Sequence, residues 1–231
     1  MILGKILLLF IRKIVKYILI IFLLLILCIS LYALYDSYQI YESVKIEEHL
    51  EEIVEKDNSI EKLFDINNNI VGYIKIDNTS INYPILKGKD NIEYLSKNYK
   101  NEYSFSGSIF LDYRNNNFND NYSIVYGHNL YRGGMFSDIR KYKDEVFFNN
   151  HISGKLYTKN EIYNIRVISY GIFLNNDENI YNIKKYNIKY ILKKSKIKKN
   201  SSSDKYMLLS TCKGSTSPYR IILLCELKSS S

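Results

Sequence analysis

The chain has 231 residues, 46% of them hydrophobic, with no Trp, two Pro and 23 Tyr, a length that suits one domain of ordinary size with an appendage. The net charge is +8, but Lys5, Arg12, Lys13 and Lys16 supply half of it before residue 36, where no acidic residue occurs. Residues 36–231 carry 28 basic and 24 acidic residues, too slight an excess for nucleic-acid binding, and three cysteines, with Cys28 inside an apolar run, argue against a disulfide framework.

Residues 1–16 form a cationic N-terminus. Residues 17–35 then run without a charge, close to the roughly 20 residues that span a bilayer as a helix. The basic residues all precede the run and Asp36 follows it, so the positive-inside rule puts the N-terminus in the cytoplasm and the remainder outside. No small-x-small cleavage site follows, and the run is long for a signal peptide, so it reads as a retained signal-anchor. Residues 36–64 lack Gly and Pro and repeat Ile46, Leu50, Ile53 and Val54 at helical spacing, which predicts a juxtamembrane helix that is either a stalk or packed on the domain.

From residue 65 onward short strands dominate. Strands are predicted at 71–76, 81–86, 108–113, 122–126, 152–158 and 162–174, and two more flank a loop at 213–218. Short helices are predicted at 91–99, 135–142, 144–150 and 179–194. About eight strands with few helices predict a mainly β, closed or nearly closed barrel. Lys193, Lys194, Lys196, Lys198 and Lys199 read as a solvated loop, with contact to an anionic wall polymer as the alternative.

Two strand ends carry chemistry. The apolar run Met207-Leu208-Leu209-Ser210-Thr211 stops at Cys212, and Arg220 opens the next run eight residues later. If the strands pair, a guanidinium lies beside a thiol, where it can lower the thiol pKa and bind a developing oxyanion. From this stretch alone, a buried thiol and a snorkelling Arg are the simpler reading. His128 ends the 122–126 strand just after Gly127, a position of the same kind, and gives a general acid/base to a nucleophile. His49 and His151 lie in polar surroundings and read as surface residues. Cys225 reads as a small core residue. The order His, Cys, Arg argues against papain-like peptidases, which place Cys before His.

These motifs resemble the class B sortases across residues 70–228. The resemblance rests on Gly72-Tyr73-Ile74-Lys75-Ile76, Gly107-Ser108-Ile109-Phe110-Leu111-Asp112-Tyr113-Arg114, Tyr126-Gly127-His128-Asn129-Leu130 with Met135-Phe136, Leu209-Ser210-Thr211-Cys212 and Tyr219-Arg220-Ile221-Ile222. Leu208 and Tyr73 depart from the family's usual Thr and Trp. The family implies a closed eight-stranded sortase-type barrel over an extracellular catalytic domain, 65–231, held at the cell membrane by residues 17–35. It implies a cysteine transpeptidase that needs no cofactor or metal. Cys212 would attack the carbonyl of a C-terminal sorting motif on a secreted protein, Arg220 would bind the oxyanion, and His128 would protonate the leaving amine. An amine of a peptidoglycan cross-bridge or of a pilin would resolve the thioacyl enzyme. The Lys213–Pro218 loop holds no acidic residue, so Arg220 and not an Asp is the third member. Ser210, Thr211, Asn129 and Tyr219 are expected to shape the site or bind substrate, and Asp112 and Arg114 to make structural or rim contacts. A membrane-anchored cysteine peptidase that hydrolyses the same kind of peptide is the alternative.

Overall fold

The computed structural model describes residues 2–48, 50–57, 61–131, 133–214 and 217–230; His49 and the centre of the Lys213–Pro218 loop lie outside them. The chain divides into two compact units, Met1–Glu42 and Ser43–Ser231. Helix α1 (Ile2–Glu48) makes up the first and ends within the opening residues of the second. Its stretch Leu9–Gln39 is long and apolar enough to cross a membrane, and its large side chains are exposed along that length.

The second unit begins with helices α2 (Leu50–Asp57) and α3 (Glu61–Ile66). Leu50, Val54 and Leu63 are buried against Ile70, Tyr73, Leu86, Tyr94 and Tyr157, so these two helices pack on the domain. Nine strands follow: β1 (Ile70–Ile76), β2 (Asn82–Leu86), β3 (Ile109–Leu111), β4 (Tyr122–Tyr126), β5 (Ser153–Thr158), β6 (Ile162–Leu174), β7 (Ile197–Lys198), β8 (Tyr206–Cys212) and β9 (Tyr219–Ser229). They pair in the order β5-β1-β2-β3-β4-β8-β9-β6, and β5 also pairs β6, which closes an eight-stranded barrel; two-residue β7 hangs on β6. Closure removes the free edges that an open sheet would expose.

The strand sequences explain which faces are covered. Asn78 makes the β1–β2 turn with φ 58, a left-handed conformation that Asn tolerates through its short polar side chain. β8 is buried without interruption from Tyr206 to Thr211 and β9 from Ile221 to Leu227, so both read as continuous apolar runs rather than as alternating ones. Met207, Leu209, Ile221, Leu223 and Cys225 point into the barrel core. Leu208, Ile222 and Leu224 point outward and are covered by Ile180 and Ile191. Those two come from α5 (Glu178–Tyr181) and α6 (Ile188–Lys194), in the long connection between β6 and β8.

Three predicted helices form otherwise. Residues 91–99 hold only a 3-10 turn, Glu93–Leu95. Asp90 Oδ1 accepts from the N–H groups of Ile92 and Glu93, and Asn98 Oδ1 accepts from those of Lys100 and Glu102. Such local bonds offer the backbone an alternative to a helix. Helix 179–194 splits because Asn182 Oδ1 accepts from Lys184 and Lys185 N–H, and Asn187 then caps α6 afresh through Tyr190 N–H. Residues 135–142 give the 3-10 segment Ser137–Lys143, while 144–150 forms α4 (Glu145–Asn150), capped by Asp144. Of the lysine cluster read as a loop, Lys193 and Lys194 end α6 and Lys198 lies in β7, while Lys196 and Lys199 lie outside regular elements.

Candidate active site

Cys212 and Arg220 are direct cross-strand partners in the antiparallel β8–β9 pair. Facing residues on one side of such a pair have Cβ atoms about 5 Å apart, within reach of a guanidinium. Arg220 Nη1 donates to Cys212 Sγ. The pairing is set by backbone register, so the contact does not depend on a mobile loop.

β4 lies on the other side of β8 and runs parallel to it, with Tyr126 opposite Ser210. The two chains therefore leave the barrel at the same end. Gly127 is where β4 leaves the sheet, and a Cβ there would come within 2.3 Å of Ile109 Cδ1 and 2.7 Å of Phe136 Cδ2. Only glycine passes between those side chains to deliver His128 to the rim. His128 Nε2 lies 2.9 Å from Leu95 O. A carbonyl oxygen only accepts, so Nε2 carries the hydrogen.

Beyond the last ladder bond, side chains continue the β4–β8 pairing. Thr211 Oγ1 donates to Gly127 O at 2.7 Å, and Asn129 Nδ2 donates to Cys212 O at 2.8 Å. These two bonds tie the histidine-bearing turn to the cysteine-bearing strand end. Tyr219 opens β9 with its ring exposed beneath Lys213 Nζ, 5.5 Å from the ring centre.

Cys212, Arg220, His128 and Ser210 line one groove of about 460 Å³, with Leu95, Asn91, Arg114, Phe110, Tyr126 and Tyr181 around them. Tyr219, Thr211 and Asn129 are not among its lining residues. Sequence reasoning missed Tyr181, Asn91 and Leu95. Tyr181 lies 31 residues before Cys212 in a segment with no motif, and only the packing of α5 on the barrel brings its hydroxyl to Ser210 Oγ, 3.0 Å away. Burial pushes the Tyr181 phenol up to about 12, with the Ser210 bond and the Arg220 charge pulling the other way, so it stays a neutral donor.

The floor of the groove holds a second guanidinium. Asp112 is fully buried at the end of β3, and Arg114 grips it with two bonds, Nε to Oδ1 at 2.8 Å and Nη2 to Oδ2 at 2.7 Å. Asn91 Nδ2 and Tyr126 Oη also donate to Oδ2. Burial pushes the carboxyl up, but the Arg114 and Asn91 bonds outweigh it and hold Asp112 below the usual Asp value. Arg114 Nη2 further donates to Tyr181 O, so this pair also fastens the C-terminal end of α5 beside the groove. Arg114 is thus more than a rim contact.

His151 lies at the end of α4, stacked on Phe147 with ring centres 3.8 Å apart and its Nδ1 on Phe147 O. Cys225 is fully buried in β9, and burial pushes its thiol far up. Cys212 is half-buried beside a cation. A methanethiosulfonate reagent is therefore expected to modify Cys212 and to spare Cys225 in the folded protein, as read by mass spectrometry of the peptides. Modification of Cys225 with Cys212 untouched would reverse the assignment of the reactive thiol.

The barrel agrees with the fold of solved proteins. The family model of the sortase domain matches residues 74–228. Sortase B of Listeria monocytogenes is 53% identical over 87 residues, which are 37% of this chain and 35% of that one, so the match spans about a third of that relative's length. The solved structure of a Staphylococcus aureus sortase B–substrate complex superposes with a TM-score of 0.75 at 28% identity, covering 83% of this chain and 98% of that one. A Streptococcus pyogenes class B sortase involved in pilus biogenesis superposes at 0.66 with 29% identity, covering 73% and 97%. The chain belongs to the sortase family, class B.

Proposed function

We propose that this protein is a membrane-anchored cysteine transpeptidase that cleaves a C-terminal sorting motif of secreted proteins and transfers the acyl group to an amine. The observation that carries this reading is the cross-strand Cys212–Arg220 contact at the head of a groove that also holds His128.

The geometry supports the following chemistry. Cys212 Sγ attacks as the thiolate, its proton taken up by His128, at the carbonyl carbon of the scissile peptide bond, and the carbonyl electron pair moves onto oxygen. Arg220, already beside Sγ, is placed to donate to that oxyanion. His128, as the imidazolium, gives a ring proton to the departing amine as the tetrahedral adduct collapses to a thioester. An incoming amine repeats the steps in reverse, and its proton returns to His128. Asn129 and Thr211 keep the two halves of the machinery in register, and Ser210 with Tyr181 forms part of the substrate wall.

The acceptor is an amine of a peptidoglycan cross-bridge or of a pilin. The family includes an enzyme of pilus biogenesis, which supports keeping both. A peptide library incubated with the protein, with and without triglycine or a lysine-bearing peptide, tests the reading. Amide products that appear only with added amine are expected. Free acids alone, at equal rates in both arms, would make the protein a hydrolase.

The apolar stretch of α1 would serve as a retained anchor, with residues 1–16 in the cytoplasm and the domain from residue 65 outside the cell. Four basic residues before residue 17 and none directly after residue 35 support that orientation. Protease added to intact protoplasts is expected to degrade the domain. A domain that survives until the membrane is broken, or a mature N-terminus beyond residue 35, would contradict the topology.

A further inference from the structure

The lysines between β6 and β8 have no part in the chemistry above. Residues 179–203 contain eight lysines (184, 185, 189, 193, 194, 196, 198 and 199) and no acidic residue. The full chain has 32 basic and 24 acidic residues, so without these eight it is neutral. Between residues 36 and 231 the other 20 basic residues meet 24 acidic ones, a net charge of −4. A genome rich in lysine codons would scatter lysines over the surface. Here one segment of +8 sits on a domain that is otherwise negative.

The segment is held in place, unlike a flexible basic tail. α6 is capped at Asn187 and buries Ile191, and Ser195 Oγ bonds both Ile191 O and Ser169 Oγ. Lys196 and Lys199 N–H groups donate to Tyr170 and Ile168 carbonyls of β6. All eight side chains are exposed except Lys199, which is half-buried. Among the described residues none of them forms a salt bridge. Lys189 and Lys193 are i,i+4 neighbours of like charge, an arrangement that destabilises a helix unless a counter-charge arrives.

We propose that residues Lys184–Lys199 form a docking surface for a linear phosphodiester polyanion outside the cell. Two observations favour a polymer over a bilayer surface. Membrane-surface helices expose large apolar side chains beside their basic ones, whereas no large hydrophobic residue between 175 and 218 is exposed among the described residues. The apolar side of α6 (Ile188, Ile191 and Leu192) is already spent on the barrel. A flexible polymer can instead follow lysines that wind from α6 onto β7, and the negative remainder of the domain repels it from other faces. The segment begins three residues after Tyr181, so a polymer docked there lies along the connection that walls the substrate groove.

The full chain in phosphatidylcholine nanodiscs, probed with poly(glycerol phosphate), provides the test. Lysine acetylation read by mass spectrometry should slow at Lys189, Lys193, Lys194 and Lys196 when the polymer is present and stay unchanged at exposed Lys143 and Lys155. Affinity should fall about 10²–10³-fold between about 50 mM and 200 mM salt, as release of counterions from about six to eight phosphate contacts on a flexible single chain requires. Replacing those four lysines with Gln should weaken binding at least about tenfold at low salt. The same variant should keep its melting temperature and its cleavage of a short sorting peptide. Uniform or absent protection, or undiminished binding by the variant, would overturn the proposal. Protection in phosphatidylglycerol nanodiscs without polymer would also overturn it, by assigning the patch to a bilayer.

Discussion

Arg220→Lys is expected to lower kcat for peptide cleavage by about 10²–10³-fold, or about 3–4 kcal/mol of transition-state stabilisation, with the melting temperature nearly unchanged. Arg220 faces Cys212 in backbone register, and its Nη1 meets Sγ. The guanidinium is planar and offers several donors in fixed directions, so one can hold the sulfur while another meets the oxyanion that forms beside it. Lysine keeps the charge, but its ammonium is a mobile point charge that cannot hold both positions. Arg220 is half-buried, and among the described residues it forms no salt bridge, so little of the fold depends on it. Stopped-flow cleavage of a fluorogenic peptide, paired with thermal melts, separates the outcomes. A variant that melts far lower, with residual activity tracking its folded fraction, would make Arg220 structural.

Arg114→Met is expected to destabilise the domain by about 3 kcal/mol, because it leaves the fully buried Asp112 carboxylate without its cation. For a domain of this size that lowers the melting temperature by about 6–12 °C. The dependence on pH identifies the cause. In the native protein the Asp112 carboxyl sits below its ordinary 3.8, so its contribution is complete above that value and fades as the pH falls through the lower folded value. In the variant burial dominates and pushes the carboxyl up. The penalty is then greatest near neutral pH and is relieved as acid protonates the group. The gap in melting temperature between the two proteins should therefore narrow from pH 7 toward 3.8. A gap independent of pH would assign the loss to packing of the Arg114 stem or to its bond with Tyr181 O.

The barrel was legible because its strands are written as apolar runs bounded by turn residues, with β4, β6, β8 and β9 clear in that pattern. The Cys, His and Arg of the groove were legible for a related reason. A Cys, a His and an Arg at the ends of such runs must fall at a sheet rim, and pairing can bring them together. What the pattern hid was decided by side chains that bond the backbone locally. Asp90, Asn98 and Asn182 each turn the chain where apolar periodicity alone reads as a helix. Tyr181 was hidden for another reason: its place in the groove exists only once α5 packs across β4 and β8. The grip of Arg114 on Asp112 lay within reach in the Asp-x-Arg spacing, but the bond that fastens it to Tyr181 O spans 67 residues.

The parallel pairing of β4 with β8 divides the groove between a local contact and a distant one. Cys212 and Arg220 lie eight residues apart across a hairpin, a contact closed by a short loop. His128 precedes Cys212 by 84 residues and joins it only through a parallel pair that encloses α4, β5, β6 and both outer helices. Closing so long a loop costs more chain entropy than closing the hairpin. The thiol–guanidinium pair therefore needs only its hairpin, whereas His128 reaches the same groove only in a chain whose barrel is assembled.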